Sequence, residues 1–192
     1  MKFEVHPDIA KAKTLDTAFY LDRHCFEMAK EKIFAPSWQF IGDTDQVKEI
    51  GWTTPVTLLE DYMNEPLVVT RDKTNTIHCL SNVCTHRGNI IVERSCKIND
   101  LRCKYHGRRF NLDGKFLSMP EFKEVENFPS EEDNLKQLPV HRFGKWLFTS
   151  LNNSIDANAF FADMNNRIGW MPFDKFQFRT DLSNDYIVNA NW

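Results

Sequence analysis

The spacing of apolar residues changes twice along the chain and divides it into three stretches. In DRHCFEMAKEKIF (22–34), Phe26, Ala29 and Ile33 fall on one helical face, and Glu27 stands three residues before Lys30. Asp22 is placed to accept the first free backbone N–H groups, and Pro36 cannot continue the turn, so the pattern predicts one helix over 22–34. From Trp38 the period shortens. PVTLL (55–59), PLVVT (66–70) and IHCLSNV (77–83) are short runs of strand composition, and RDKTN (71–75) between the last two suits a hairpin turn. Asp113-Gly114 lies between RRFNL and KFLSM, a second hairpin over 108–119. VHRFGKWLFTSL (140–151) predicts either a third strand pair or one strand bulged at Gly144, with Trp146 and Phe148 alternating into the core. Beyond it the chain turns polar, then weakly helical from Ala157, and FQFRTDLSNDYIVNANW (176–192) has strand composition up to an apolar, aromatic end. The expectation is a mainly β fold of small antiparallel sheets over 38–152. A helical segment at 1–37 precedes it, and a truncated α+β piece at 153–192 follows it as the start of a further domain.

Composition narrows the class. The chain has 192 residues, 42% hydrophobic and 27% charged, enough for one buried core and a second partial unit. No apolar run approaches the ~18 residues that would cross a membrane. MKFEVHPDIAKAKTL contains an acid and lacks an apolar run, so a secretory signal is not expected and the cytoplasm is the expected location. A net charge of −3 argues against general nucleic-acid binding, which needs a basic footprint. The charge is unevenly spread: seven Lys/Arg against two Asp/Glu between Cys84 and Arg109, then six acids and one lysine between Glu121 and Asp133. The acidic run reads as a solvated face. Five cysteines without an export signal do not suggest a disulfide framework, which leaves ligand or buried-thiol roles.

Two stretches carry ligand chemistry. CTHRG places Cys84 and His86 one residue apart, and CKYHG places Cys103 and His106 two apart, with sixteen residues between the pairs. Both lie beside strand runs, so both belong to loops at a sheet end. A Cys₂His₂ zinc site uses the same donors, but its usual spacing separates a cysteine pair from a histidine pair. A plant-type [2Fe–2S] site needs Cys-x4-Cys-x2-Cys; Cys79 and Cys84 have the first spacing, and Arg87 stands where the third cysteine is required. A Rieske cluster, with two histidines replacing two cysteines on one of two irons, draws on this donor set. Cys79 in a strand run, Cys96 between the ligand pairs and Cys25 in the helix read as buried or incidental thiols; His6, His24, His78 and His141 have no partner spacing and read as ordinary polar residues.

Cys-x-His-x16-Cys-x2-His resembles the Rieske motif, and the wider match is to the α subunits of Rieske ring-hydroxylating oxygenases, including choline-monooxygenase-like proteins. KIFAPSWQFIGDTDQV (32–47) resembles the lead-in to their Rieske domain. NVCTHRG and CKYHG resemble their two cluster loops, LDGKFLSMP the hairpin after the second, and NANW a segment of their catalytic domain. The resemblance implies that Cys84 and Cys103 hold an inner iron of a [2Fe–2S] cluster, and that His86 and His106 hold an outer iron near the surface. Gly88 and Gly107 would allow the tight loop turns. Arg87, Lys104, Arg108 and Arg109 would offset the cluster's negative charge, the alternative for Arg108 and Arg109 being a solvated strand start.

The resemblance carries further expectations. High-potential relatives have an extra cysteine in each loop; Asn89 and Tyr105 stand at those places here, so a potential toward the low end of about −150 to +300 mV is expected. The family usually has Trp where this chain has Arg108. Its oxygenases also use a mononuclear Fe(II) held by a His-x4-His pair and a late Asp. No two of the six histidines here are five positions apart and none follows His141, so that iron is expected only in a part of the parent protein missing from this chain. The expected function is one-electron transfer as the N-terminal part of a ring-hydroxylating or N-demethylating oxygenase, monooxygenase or dioxygenase. The parent would be a homo-oligomer, a trimer, receiving NAD(P)H-derived electrons from a separate reductase or ferredoxin. The alternatives are a stand-alone Rieske ferredoxin-like carrier and a structural-zinc binding module.

Overall fold

Leu67, Val68 and Val69 are consecutive and all fully buried, so the strand that carries them has apolar contacts on both faces. Such a strand belongs inside a sheet, between two cores. The computed structural model, which describes residues 4–122 and 124–189, places it there. The chain divides into two compact units, Pro36–Phe176 and one drawn from the segments on either side of it.

The strands of the larger unit are β1 (Gln39–Asp43), β2 (Trp52–Leu58), β3 (Glu65–Arg71), β4 (Ile77–Ser81), β5 (Cys96–Lys97), β6 (Leu101–Arg102), β7 (Arg109–Phe110), β8 (Phe116–Ser118), β9 (Gln137–Leu138), β10 (Val140–Phe143) and β11 (Trp146–Thr149). They form three sheets, ordered β5-β2-β3-β4-β9, β1-β11-β10 and β6-β7-β8, and every pairing is antiparallel. The fold is mainly antiparallel β, as expected. Alternation along β3 and β4 separates the two cores. Val68 and Leu80 enter one, which also contains Cys84, Cys103, Leu101 and Phe110. Leu67, Val69 and Cys79 enter the other, with Ile41, Val47, Leu58 and Leu147. The first core is the one on which the two Cys/His stretches rest.

The expected hairpins form. The second closes through Asn111 and Lys115, whose N–H and C=O are 2.8 Å apart, around Asp113-Gly114. At Gly144 the structure chooses the strand pair over the bulge: β10 and β11 turn there, and a Cβ on Gly144 would collide with Phe173. In β11, Leu147 and Thr149 are the buried residues, while Trp146 and Phe148 are only half-buried on the opposite face. Phe148 meets Phe161 of the helix α3 (Ala157–Ile168) at 4.7 Å between ring centres, and Trp146 meets Phe173 at 4.7 Å. The expected core role of Trp146 and Phe148 is therefore an aromatic layer outside the sheet.

Two expectations change. After a short helix α1 (Thr17–Leu21), the single helix over 22–34 is α-helical only over α2 (Arg23–Ala29), with Asp22 accepting from the His24 N–H, and passes into a π-helical turn over Lys30–Phe34. Its buried residue is Cys25; Phe26 and Ile33 are exposed, so the inward face is offset from the one the pattern suggested. Residues 176–189 contain no strand. A short 3₁₀ turn at Thr180–Leu182 is followed by irregular chain in which Ile187 is 95% exposed. β composition makes a suitable face, but a strand also needs an edge to bond with, and none among the described residues pairs with this segment. Residues 190–192, the end of the NANW stretch, lie outside the described residues.

The hairpin between β3 and β4 gives a pH test. Asp72 caps the turn, its carboxylate accepting from Thr74, Thr76 and, at 2.9 Å, His78 Nε2. Burial pushes this carboxyl up, but the bonds from His78, Thr74 and Thr76 outweigh it and hold the pKa at about 2, below the ordinary 3.8. A carboxyl depressed on folding contributes stability above its unfolded pKa and loses it as pH falls through the folded one. The wild-type unfolding midpoint in urea should therefore drop more steeply than that of Asp72→Asn between pH about 4 and about 2. Parallel curves through that window would remove Asp72 as a source of acid sensitivity.

Candidate metal centre

The two Cys/His stretches fold as the same turn. The first follows β4. Asn82, 3% exposed, is held from four directions: its side chain donates to the Val92 C=O at 2.7 Å and accepts the Val92 N–H at 2.9 Å, while its backbone bonds Pro66 and Ile91. A bridge between Val83 and Ile90 closes the neck, leaving Cys84–Asn89 as a loop. Within it the Cys84 N–H donates to the Asn89 C=O at 2.9 Å, and the Gly88 N–H donates to the Cys84 C=O at 3.0 Å. The second loop joins β6 to β7 and repeats both bonds: Cys103 N–H to Arg108 C=O at 2.8 Å, Gly107 N–H to Cys103 C=O at 3.0 Å. The two six-residue sequences share only the leading cysteine and the fifth-position glycine. Those glycines have φ of +69° at Gly88 and +75° at Gly107, the left-handed region that a side chain disfavours.

Each loop offers one thiol and one imidazole, but the fold sorts them by type. Cys84 and Cys103 are each 2% exposed and lie together in the first core. His86 and His106 lie together at the surface side, half-buried, with ring centres 4.8 Å apart and planes at 70°. Burial pushes the Cys84 thiol above its ordinary range, helped by neighbouring Cys103 and opposed by the His86 N–H and the Arg108 charge. His86 is held below its ordinary value by burial first, then by the neighbouring positive groups His106, Arg87 and Arg108. Tyr105 lies over the His106 ring at 3.8 Å, and Phe122 meets His86 at 5.8 Å. The His106 Nδ1 is buried and has no hydrogen-bond partner. Such an atom is costly unless something else satisfies it, and a metal ion would. Among the described residues no three His, Cys, Asp or Glu side chains converge on one point that would hold a single ion. Two thiols in one layer and two imidazoles in the next fit a binuclear group that takes two protein ligands per metal.

The surrounding charges differ from the expectation. Lys104 pairs with Glu93 at 2.5 Å and Arg109 forms a two-pronged pair with Asp100 at 2.9 and 2.8 Å, all at the surface, and Arg87 is exposed. Arg108 is the exception. It is 3% exposed, donates to the Thr85 hydroxyl at 2.9 Å and to the Asp133 carboxylate, and lies over Phe116 and Phe128 at 5.1 and 5.4 Å from its guanidinium carbon. Its solvated reading is thereby set aside. Thr85 in turn donates to the Asp133 C=O at 2.9 Å. The acidic run is exposed at Glu121, Glu124, Glu126, Glu131 and Glu132, as a solvated face should be, but its last member is drawn inward. Asp133 also closes a capping box with Ser130. Asn82, Thr85 and Asp133 were not singled out by the sequence pattern. Only the Ser130-x-x-Asp133 capping spacing was a readable signal, and it did not point to the loops.

The remaining candidates lie apart from this centre. Cys79 packs in the second core, where burial pushes its thiol up to about 12 despite a bond with Thr149. Cys96 sits in β5 beside Thr53, Cys25 in α2, His78 on Asp72, and His141 stacks on Phe161 at 4.5 Å. His6 is exposed and accepts from the Asp8 N–H; His24 is exposed in the first turn of α2.

Residues 37–129 match the Rieske [2Fe–2S] domain family. The chloroplastic choline monooxygenase of Beta vulgaris is 33% identical over 158 residues, 81% of this chain and 34% of that protein. The oxygenase subunit of glycine betaine monooxygenase from Chromohalobacter salexigens is 28% identical over 181 residues, 93% of this chain and 39% of that protein. The crystal structure of a quaternary ammonium Rieske monooxygenase, described with carnitine oxidation and inter-subunit electron transfer, superimposes with a TM-score of 0.72 at 26% identity, covering 88% of this chain and 48% of that one. The chain thus spans 34–39% of the length of these curated relatives.

Asn82 holds the neck of the first loop through two otherwise unpaired backbone groups of Val92. Removing it leaves both buried without partners, so Asn82→Ala should cost at least about 2 kcal/mol. Urea unfolding of the two proteins checks this, and a loss under about 0.5 kcal/mol would mean the loop is held by other contacts.

Proposed function

Because residues 37–129 are a Rieske [2Fe–2S] domain of the kind found in choline- and carnitine-type monooxygenase oxygenase subunits, we propose that this chain transfers single electrons through a cluster held by Cys84, Cys103, His86 and His106. The observation that carries the reading is the sorting of donors: two buried thiols together, two half-exposed imidazoles together. A single zinc ion needs all four at one point. A [2Fe–2S] cluster of this type asks for two sulfur ligands on one iron and two nitrogen ligands on the other, and supplies a site that accepts and releases one electron.

The chain's own residues prepare that site. The Cys84 thiol, raised by burial, keeps its proton at neutral pH, so loading the cluster releases that proton and depends on pH. The His86 N–H lowers the Cys84 thiol, so a backbone donor already acts on a ligand atom. His106 Nδ1 stands ready as a donor without competing bonds. Tyr105 and Phe122 flank the imidazoles at the edge through which electrons would enter and leave. The domain occupies 38–152 in this reading, preceded by the helical segment 1–37 and followed at 153–192 by the first part of a catalytic domain.

In the whole protein the cluster would feed a mononuclear Fe(II) held by residues outside this chain, which has no His-x4-His pair. The relatives favour monooxygenation, as hydroxylation or N-demethylation, over dioxygenation of aromatic rings. Electrons would come from a separate reductase or ferredoxin, and the assembly would be a homo-oligomer, a trimer, located in the cytoplasm. No helix among the described residues is long and apolar enough to cross a membrane.

The test is EPR of the dithionite-reduced chain, with iron, sulfide and zinc assayed on the same sample. A Rieske-type spectrum with about two irons and two sulfides per chain is expected. It should be lost in Cys103→Ser and kept in Cys96→Ser. Colourless protein with stoichiometric zinc would replace the reading with a structural-zinc module.

A further inference from the structure

Arg108 is a buried cation whose Nε, also buried, has no hydrogen-bond partner. Its terminal nitrogens are occupied, one on Thr85 of the first loop and one on Asp133, while its own C=O closes the second loop by accepting from Cys103. The two aromatic rings over its plane prevent it from swinging out. One side chain thus touches the first loop, belongs to the second and reaches the segment after the hairpin. The other basic groups of the stretch are exposed, and three of them, Lys97, Lys104 and Arg109, are already paired with carboxylates.

We propose that Arg108 is a positioning residue that fastens the two cluster loops to each other and sets the reduction potential of the site through its buried charge, with Asp133 as the counter-charge that moderates it. The proposal rests on the Rieske reading above. Reduction adds one electron, hence one negative charge, to whatever the two loops hold. A fixed cation in a poorly solvated place stabilises that charge far more than an exposed one, because little water screens it. Arg108 is the nearer partner: its guanidinium bonds the Thr85 hydroxyl, on the residue between Cys84 and His86, whereas the Asp133 carboxylate is held on the guanidinium's other nitrogen. The cation therefore outweighs its counter-ion at the site, and the two residues act with opposite sign.

The experiment measures the midpoint potential of the full chain by spectroelectrochemistry, alongside iron and sulfide content and the EPR spectrum, for the wild type, Arg108→Met, Arg108→Lys and Asp133→Asn. Arg108→Met should lower the midpoint, with the reduced-to-oxidised ratio at fixed poise falling about tenfold, equivalent to about 59 mV for one electron. Asp133→Asn should raise it. Arg108→Lys keeps the charge and should recover most of the midpoint while losing the two-pronged fastening, seen as weaker cluster retention. Opposite shifts in the Arg108→Met and Asp133→Asn proteins support the proposal, because a purely structural role would move both the same way or neither. If Arg108→Met fails to load, the decision passes to Asp133→Asn: a raised midpoint supports the charge role, and an unchanged or lowered one overturns it. A wild-type chain without iron and sulfide would instead overturn the Rieske reading itself.

Discussion

The structure depends on keeping two cysteine sulfurs together inside the protein while two imidazoles from the same loops stay at its edge. Thiols are small and tolerate burial. Imidazoles carry polar nitrogens that need partners. Two loops of the same backbone design meet this demand. Each begins with its cysteine against the first core and returns through a glycine in the left-handed region, so that the histidine leaves near the top of the turn. The histidine is third in one loop and fourth in the other, yet both arrive at one place. The loops come from different sheets, one following β4 and one joining β6 to β7, which lets them approach from two sides.

Around that arrangement the fold is a support. β3 and β4 separate two cores by simple alternation, and one of those cores is the floor beneath the sulfurs. Asn82 makes the passage from strand to loop rigid by bonding both polar groups of Val92. The β1-β11-β10 sheet and α3 stand away from the centre and bury aromatic rings against each other, so their contribution is to the stability of the unit. Electrostatics near the site is concentrated in one buried guanidinium. Charges at the surface are screened and largely paired, and such pairs contribute little.

Local patterns were reliable where the cause of structure is local. Asp22 caps a helix, the turn at 71–75 and Asp113-Gly114 close hairpins, and strands appear where β-branched residues alternate. They failed where a partner decides. The segment 176–189 has the face of a strand and no edge to bond with. The apolar spacing of 22–34 did not show which side turns inward, or that the helix loosens into a π turn.

The sequence by itself determined the donor set. Two cysteines and two histidines at that spacing, each cysteine followed four residues later by glycine, limit the chemistry to a metal group, because loop closure and ligand type are properties of a few neighbouring residues. How those donors are grouped, which the family resemblance implied and the spacing alone did not, is decided by the tertiary structure. Pairing Cys84 with Cys103 and His86 with His106 requires two distant loops to meet. It likewise decided that Arg108 is inside and Arg109 outside, since burial of a charge depends on a counter-ion 25 residues away at Asp133 and on rings from two further segments. Neither relation leaves a trace in local spacing, because contact across the fold is set by the packing of the sheets.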